Sequence, residues 1–226
     1  MPGEMVNFSS NGATAAGYLS IPAAGKGPGV VVIQEWWGLV PHIKNVTDRF
    51  AGAGFLALAP DLYHGKATQS PDEAGKLMMA MNIDKTERDL AGAVSYLKSH
   101  PNNSTGKVGT VGFCMGGALS LYAATKNGNI SACVNFYGGH PKVQPDLPAL
   151  ECAVLGLYAE RDGFVTIASV RDLERKLVGL GKDYEFHIYP GVDHAFFNND
   201  RLEVHDREAA EDAWKRTLEF LRRHLN

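Results

Sequence analysis

The chain of 226 residues is 45% hydrophobic and 21% charged, enough to bury a sizeable core, and reads as one domain over residues 1–226. A formal net charge of -3 offers no basic surface for nucleic acid. No run approaches the roughly 18 apolar residues of a membrane span, and the opening "MPGEMVNFSSNG" lacks a basic-then-apolar export pattern.

Taken in chain order, the first twenty residues, with "ATAAGYLSIP", predict an antiparallel addition at the edge of a sheet. Strand-length apolar runs follow at 29–34, 54–60, 107–113, 130–138, 153–159 and 184–190, most of them bounded by Gly, Pro or polar residues. Between them lie segments of helical period. Leu90, Ala93, Val94 and Leu97 share one face of a helix over 84–100, for which Asp84 with Glu87 supplies a cap. Val170, Leu173 and Leu177 repeat the pattern over 166–180, and Trp214, Leu218, Leu221 and Leu225 over 206–225. Strands alternating with helices predict a mostly parallel, twisted sheet with helices on both faces, because parallel neighbours need helical crossovers. Ligands of such sheets bind beyond the carboxyl ends of the strands. Those ends deliver Glu35 and Trp36, Asp61 to His64, Cys114, Tyr137, Asp162, and the loop holding Asp193 and His194.

The segment Gly112-Phe113-Cys114-Met115-Gly116-Gly117 matches the G-x-nucleophile-x-G elbow, a tight strand-to-helix turn that lifts the central side chain above the sheet. A cysteine taken alone is more often a small buried hydrophobe. Here the amides of a helix N-terminus face the thiol and favour both a thiolate and the oxyanion formed after its attack. Asp162 and His194 each follow a predicted strand, and the chain order Cys, Asp, His is that of the α/β-hydrolase fold. Glu160 and Asp193 are the rival acids for orienting His194. Cys114, Cys133 and Cys152, odd in number and far apart, fit no disulfide framework or paired zinc motif, so three free thiols are expected, while the want of a membrane span or export pattern predicts a cytoplasmic protein. His140, His187 and His194 share no metal-ligand spacing, so no metal and no cofactor are expected.

With these residues assembled, the sequence resembles the dienelactone hydrolase family of α/β-hydrolases. The segments "VIQEWWG", "LAPDLYHGKA", "KVGTVGFCMGGALS", "NFYGG", "AERDGFV" and "GVDHAFFN" carry the resemblance nearly end to end. It implies a triad of Cys114, His194 and Asp162. It also implies that Glu35 takes the thiol proton when substrate binds, the resting thiol lying near this carboxylate and turned from the histidine. A carboxylate buried beside two tryptophans is a stronger base than in water, which fits that role. The backbone amides of Trp36 and Met115 are the implied oxyanion donors.

The sequence departs from the family where two arginines grip the substrate carboxylate. One position is Asn198, and the other falls in "SPDEAG", which holds no arginine. Arg161 and Arg201 are the nearby substitutes. The expected activity is hydrolysis of lactones, less dependent on a substrate carboxylate, through a thioester intermediate. Trp37, Tyr63, Tyr137, Phe196 and Asn198 are the expected substrate-binding residues. The alternatives are a promiscuous carboxylesterase for small esters, or a non-catalytic protein in which Cys114 contacts a ligand or senses redox state. A small-molecule lactone or ester is the expected partner, with no nucleic acid and no membrane, for a monomer or small homo-oligomer.

Overall fold

A computed structural model describes residues 2–10 and 12–226. Eight strands form one sheet in the order β1-β2-β4-β3-β5-β6-β7-β8. The strands are β1 (Glu4–Ser10), β2 (Ala13–Ser20), β3 (Gly27–Ile33), β4 (Leu56–Pro60), β5 (Asn103–Phe113), β6 (Ile130–Phe136), β7 (Ala153–Ala159) and β8 (Tyr184–Tyr189). The pairs β1/β2 and β2/β4 are antiparallel and all others parallel, so the predicted edge addition is a hairpin laid on β4.

The helices are α1 (Pro41–Gly52), α2 (Pro71–Ala80), α3 (Ile83–Ser99), α4 (Met115–Lys126), α5 (Ile167–Gly179) and α6 (Arg207–Leu225). Every residue of β3 is buried, and its alternation divides the core in two. Val30 and Val32 join Ile43, Val46 and Phe50 of α1 and Phe220 and Leu221 of α6 on one face. Val31 and Ile33 join Leu90, Val94 and Leu97 of α3 and Leu119 of α4 on the other. A strand covered on both faces must read as an unbroken apolar run, as "GVVVI" does.

Four local differences from the sequence reading have physical causes. The strand expected from 54 begins at Leu56, because Gly54 (φ 98°) closes the turn after α1 and the Phe55 amide donates to Phe50 O. The strand expected to reach 138 stops at Phe136, because Tyr137 takes φ 39°. Helix α3 is capped by Asn82, whose side chain accepts from the Lys85 amide, and not by Asp84 with Glu87. Helix α2, which the sequence reading left out, buries only Ala74 and so shows no apolar stripe.

Candidate active site

Strand β5 delivers Cys114 to the N-cap of α4 with φ 54°, a left-handed conformation that costs a non-glycine residue about 1–3 kcal/mol. The flanking glycines make this turn possible. A Cβ on Gly112 would collide with the carbonyl of Gly116, and one on Gly116 with the carbonyl of Ile33 at the end of β3. Strand and helix therefore approach more closely than any side chain permits. The Cys114 amide donates to Phe136 O at 3.0 Å, fixing the elbow against the end of β6. Met115 is the first residue of α4, so its amide has no intrahelical acceptor. The Met115 side chain is fully buried, and its Sδ accepts from Tyr63 Oη at 3.3 Å.

Asp162 follows β7 and is almost fully buried. Its Oδ1 accepts from the Phe164 and Val165 amides at 2.7 and 2.8 Å, and its Oδ2 lies 2.6 Å from His194 Nδ1. The two backbone donors fix the carboxylate, and the carboxylate fixes the ring. The rival acids are engaged elsewhere: Glu160 accepts from the Gly191 amide and Asp193 pairs with Arg161. Burial pulls the His194 pKa down, but hydrogen bonding to Asp162 and Cys114, with the charges of both, outweighs it and carries the pKa up to about 10.

Glu35 stands at the end of β3 at 1% exposure. Its Oε2 accepts from Asn198 Nδ2 at 2.6 Å, and its Oε1 finds no partner among the described residues. Burial pushes its pKa up to about 6, against the opposing pull of the Asn198 hydrogen bond and the charges of His194 and Arg201. Asn198 is itself buried, and its Oδ1 accepts from the Asp200 amide, which leaves Nδ2 to face Glu35. Asn198, expected to bind substrate, donates one of its two amide hydrogens to this carboxylate.

Trp36 and Trp37 are half-buried and meet edge to face at 4.9 Å. Tyr137 is fully buried, 5.0 Å from the His194 ring and 5.3 Å from Phe196, which is buried as well. Tyr63 is buried on the opposite side, under Met115. Tyr63, Tyr137 and Phe196 are thus buried, and Trp36 and Trp37 are partly open to solvent.

Backbone strain supplies a signal absent from the sequence. Among the described residues, the non-glycine positions with positive φ are His64, Cys114, Tyr137 and Ala195, all in loops at the carboxyl ends of strands. Phe164 is the residue the sequence reading missed: it is 84% exposed, with its ring 5.4 Å from that of His194. The described residues contain no cluster of three or more His, Cys, Asp or Glu able to hold a metal. No helix among them is long and apolar enough to cross a membrane.

A mostly parallel sheet with a strained elbow at the end of one central strand, and acid and histidine at the ends of the last two, defines an α/β-hydrolase. The chain belongs to the dienelactone hydrolase family, whose model matches residues 15–225. It is 42% identical to "Protein usf" of Aquifex pyrophilus across 99% of each chain. It is 36% identical to a "Putative carboxymethylenebutenolidase" of Aquifex aeolicus, again across 99% of each. The solved structure titled "Putative Dienelactone Hydrolase" from Klebsiella pneumoniae superposes with a TM-score of 0.85 at 28% identity, covering 96% of this chain and 97% of that one. The protein is an ester or lactone hydrolase acting on small molecules.

Proposed function

We propose that the protein opens lactones and small activated esters by nucleophilic attack of Cys114, through a thioester. The observation that carries this reading is the Cys114 elbow beside a histidine held by a buried aspartate. His194 Nδ1 belongs to Asp162, so Nε2 is the nitrogen that receives the thiol proton. The thiolate adds to the carbonyl carbon, and the amides of Met115 and Trp36 hold the oxyanion. Collapse breaks the carbon–oxygen bond, and the leaving alkoxide takes its proton from His194 Nε2. A water then gives a proton to the same nitrogen and adds to the thioester carbonyl; collapse releases the acid and restores the thiolate, which recovers its proton from His194. In a lactone the alcohol and the acid are two ends of one product.

The hydrogen bond from Asn198 supports a fixed electrostatic role for Glu35, with His194 as the proton acceptor in the free enzyme. Three free thiols support a cytoplasmic location, and the reaction as written needs no cofactor. Lactone opening agrees with the carboxymethylenebutenolidase name of the Aquifex aeolicus relative. Rapid quenching of a p-nitrophenyl acetate reaction, followed by mass spectrometry of the digest, tests the reading. It expects an acetyl group on the peptide carrying Cys114; turnover without label there overturns it.

A further inference from the structure

Two arginines and one bare aromatic ring accompany the site residues in their loops, and the geometry of the three narrows the substrate class. Arg161 Nη2 lies 2.8 Å from Asp193 Oδ2. Arg201 places Nε and Nη2 at 2.9 and 2.8 Å from Glu203 Oε1, with its guanidinium 6.0 Å from the centre of the Trp37 ring. Each cation is thus matched by a carboxylate of its own chain. Asn198, which is buried, donates to Glu35. A substrate carboxylate would have to compete with Asp193 for Arg161 or with Glu203 for Arg201.

Phe164 stands in contrast. A lone exposed hydrophobic residue is ordinary, but this one is held by its backbone and placed at the reacting histidine. Its amide is tied to Asp162 Oδ1, the carboxylate that orients His194, and its ring packs edge to face on the imidazole. The oxygen that leaves must approach His194 Nε2 to be protonated. The carbon skeleton attached to that oxygen then passes beside the imidazole, where Phe164 offers its ring.

We propose that the substrates are neutral esters or lactones with an apolar or aromatic alcohol portion, and that Phe164 determines this specificity by packing against that portion. The proposal rests on the Cys114 reading. Its test uses acetates, which share one acetyl-enzyme and differ only in the alcohol. For Phe164→Ala, kcat/KM should fall roughly tenfold on phenyl acetate and stay within about twofold on trifluoroethyl acetate. The deacylation rate, common to both, should not change, and Phe164→Tyr should restore phenyl acetate. The wild type should prefer 4-acetoxybenzamide to the anionic 4-acetoxybenzoate, and Glu203→Gln should narrow that gap by releasing Arg201.

A parallel loss on both acetates would assign Phe164 a structural role and overturn the proposal, as would no loss on either. A wild-type preference for the benzoate would overturn its neutral-substrate half. Failure of the Cys114 reading shows separately, as turnover with no acetyl group on the Cys114 peptide.

Discussion

Two thiols on neighbouring strands, one of them the proposed nucleophile, differ in what the fold places around them. Cys133 sits within β6, paired in register with Thr110 of β5, and is fully buried with its Sγ 3.3 Å from Ser120 Oγ. Burial pushes its pKa up to about 11, with hydrogen bonds from Ser120 and Thr110 pulling the other way. Cys114 lies four residues beyond Thr110, past the end of β5, partly exposed and with left-handed backbone. The chemical group is the same. The position relative to the strand end differs, because ladder hydrogen bonding and two-sided packing stop there and leave amides and side chains free to face a ligand.

The sharpest way to break that comparison is to remove each sulfur in turn. Cys114→Ala should lower kcat/KM for p-nitrophenyl acetate by about 10³-fold or more, as expected for loss of a nucleophile, with urea unfolding almost unchanged. Cys133→Ala should do the reverse, keeping activity within about twofold while losing roughly 1 kcal/mol from a small buried cavity. Equal activity losses in the two variants would mean that the strand end confers nothing special on Cys114.

A second test addresses the histidine that separates the two thiols chemically. Asp162→Asn keeps the shape of the orienting side chain and removes its charge, so kcat/KM should fall on the order of 10²–10³-fold. Iodoacetamide labelling of Cys114 at pH 7 should slow alongside, because His194 becomes a weaker acceptor. Stability carries the same signature. The His194 pKa is raised to about 10, so the interaction is fully present below the ordinary histidine value of about 6.5 and is lost as pH rises through 10. The stability gap between wild type and Asp162→Asn should therefore shrink across that window. A gap independent of pH would indicate that Asp162 acts through the Phe164 and Val165 amides alone.

How much of this could be read from residues alone follows from the range of each interaction. The strand runs and the long amphipathic helices are local patterns, and α3, α5 and α6 each emerge within a residue or two of their predicted limits. The elbow is legible too, since its glycines flank the cysteine within six residues, although the carbonyl that Gly116 clears belongs to Ile33 of β3. The proximity of Asp162 to His194 needs only chain order and the strand-end rule. Asn198 is different: its partner Glu35 lies 163 positions away, and nothing in "FFNND" says whether its amide faces substrate or a buried carboxylate. Phe164 was equally silent, because a Phe beside Val in a loop reads as core, and only the fold shows that it remains bare. The strained backbone of Tyr137 and Ala195 likewise has no sequence signature, since neither residue type favours positive φ.

Glu35 gives the smallest effect and the finest test of how a strand end differs from a strand interior. Its pKa is raised to about 6 because burial disfavours the carboxylate more than Asn198, His194 and Arg201 favour it. An acid whose pKa rises on folding binds its proton more tightly in the native state, so ionisation costs stability. That cost is fully present above about pH 6 and disappears as pH falls to the unfolded value near 4.5. A rise of this size corresponds to about 2 kcal/mol. Glu35→Gln keeps an oxygen to accept from Asn198 and removes the charge. It should be more stable than wild type by up to about 2 kcal/mol at pH 8 in urea unfolding, and equally stable at pH 4.5. A variant less stable at pH 8 would mean that the imidazolium of His194 more than offsets the burial of this charge. If the gain appears together with slower ester turnover, Glu35 is a carboxylate that folding opposes and the reaction retains, a combination confined to the end of the sheet where Cys114 stands.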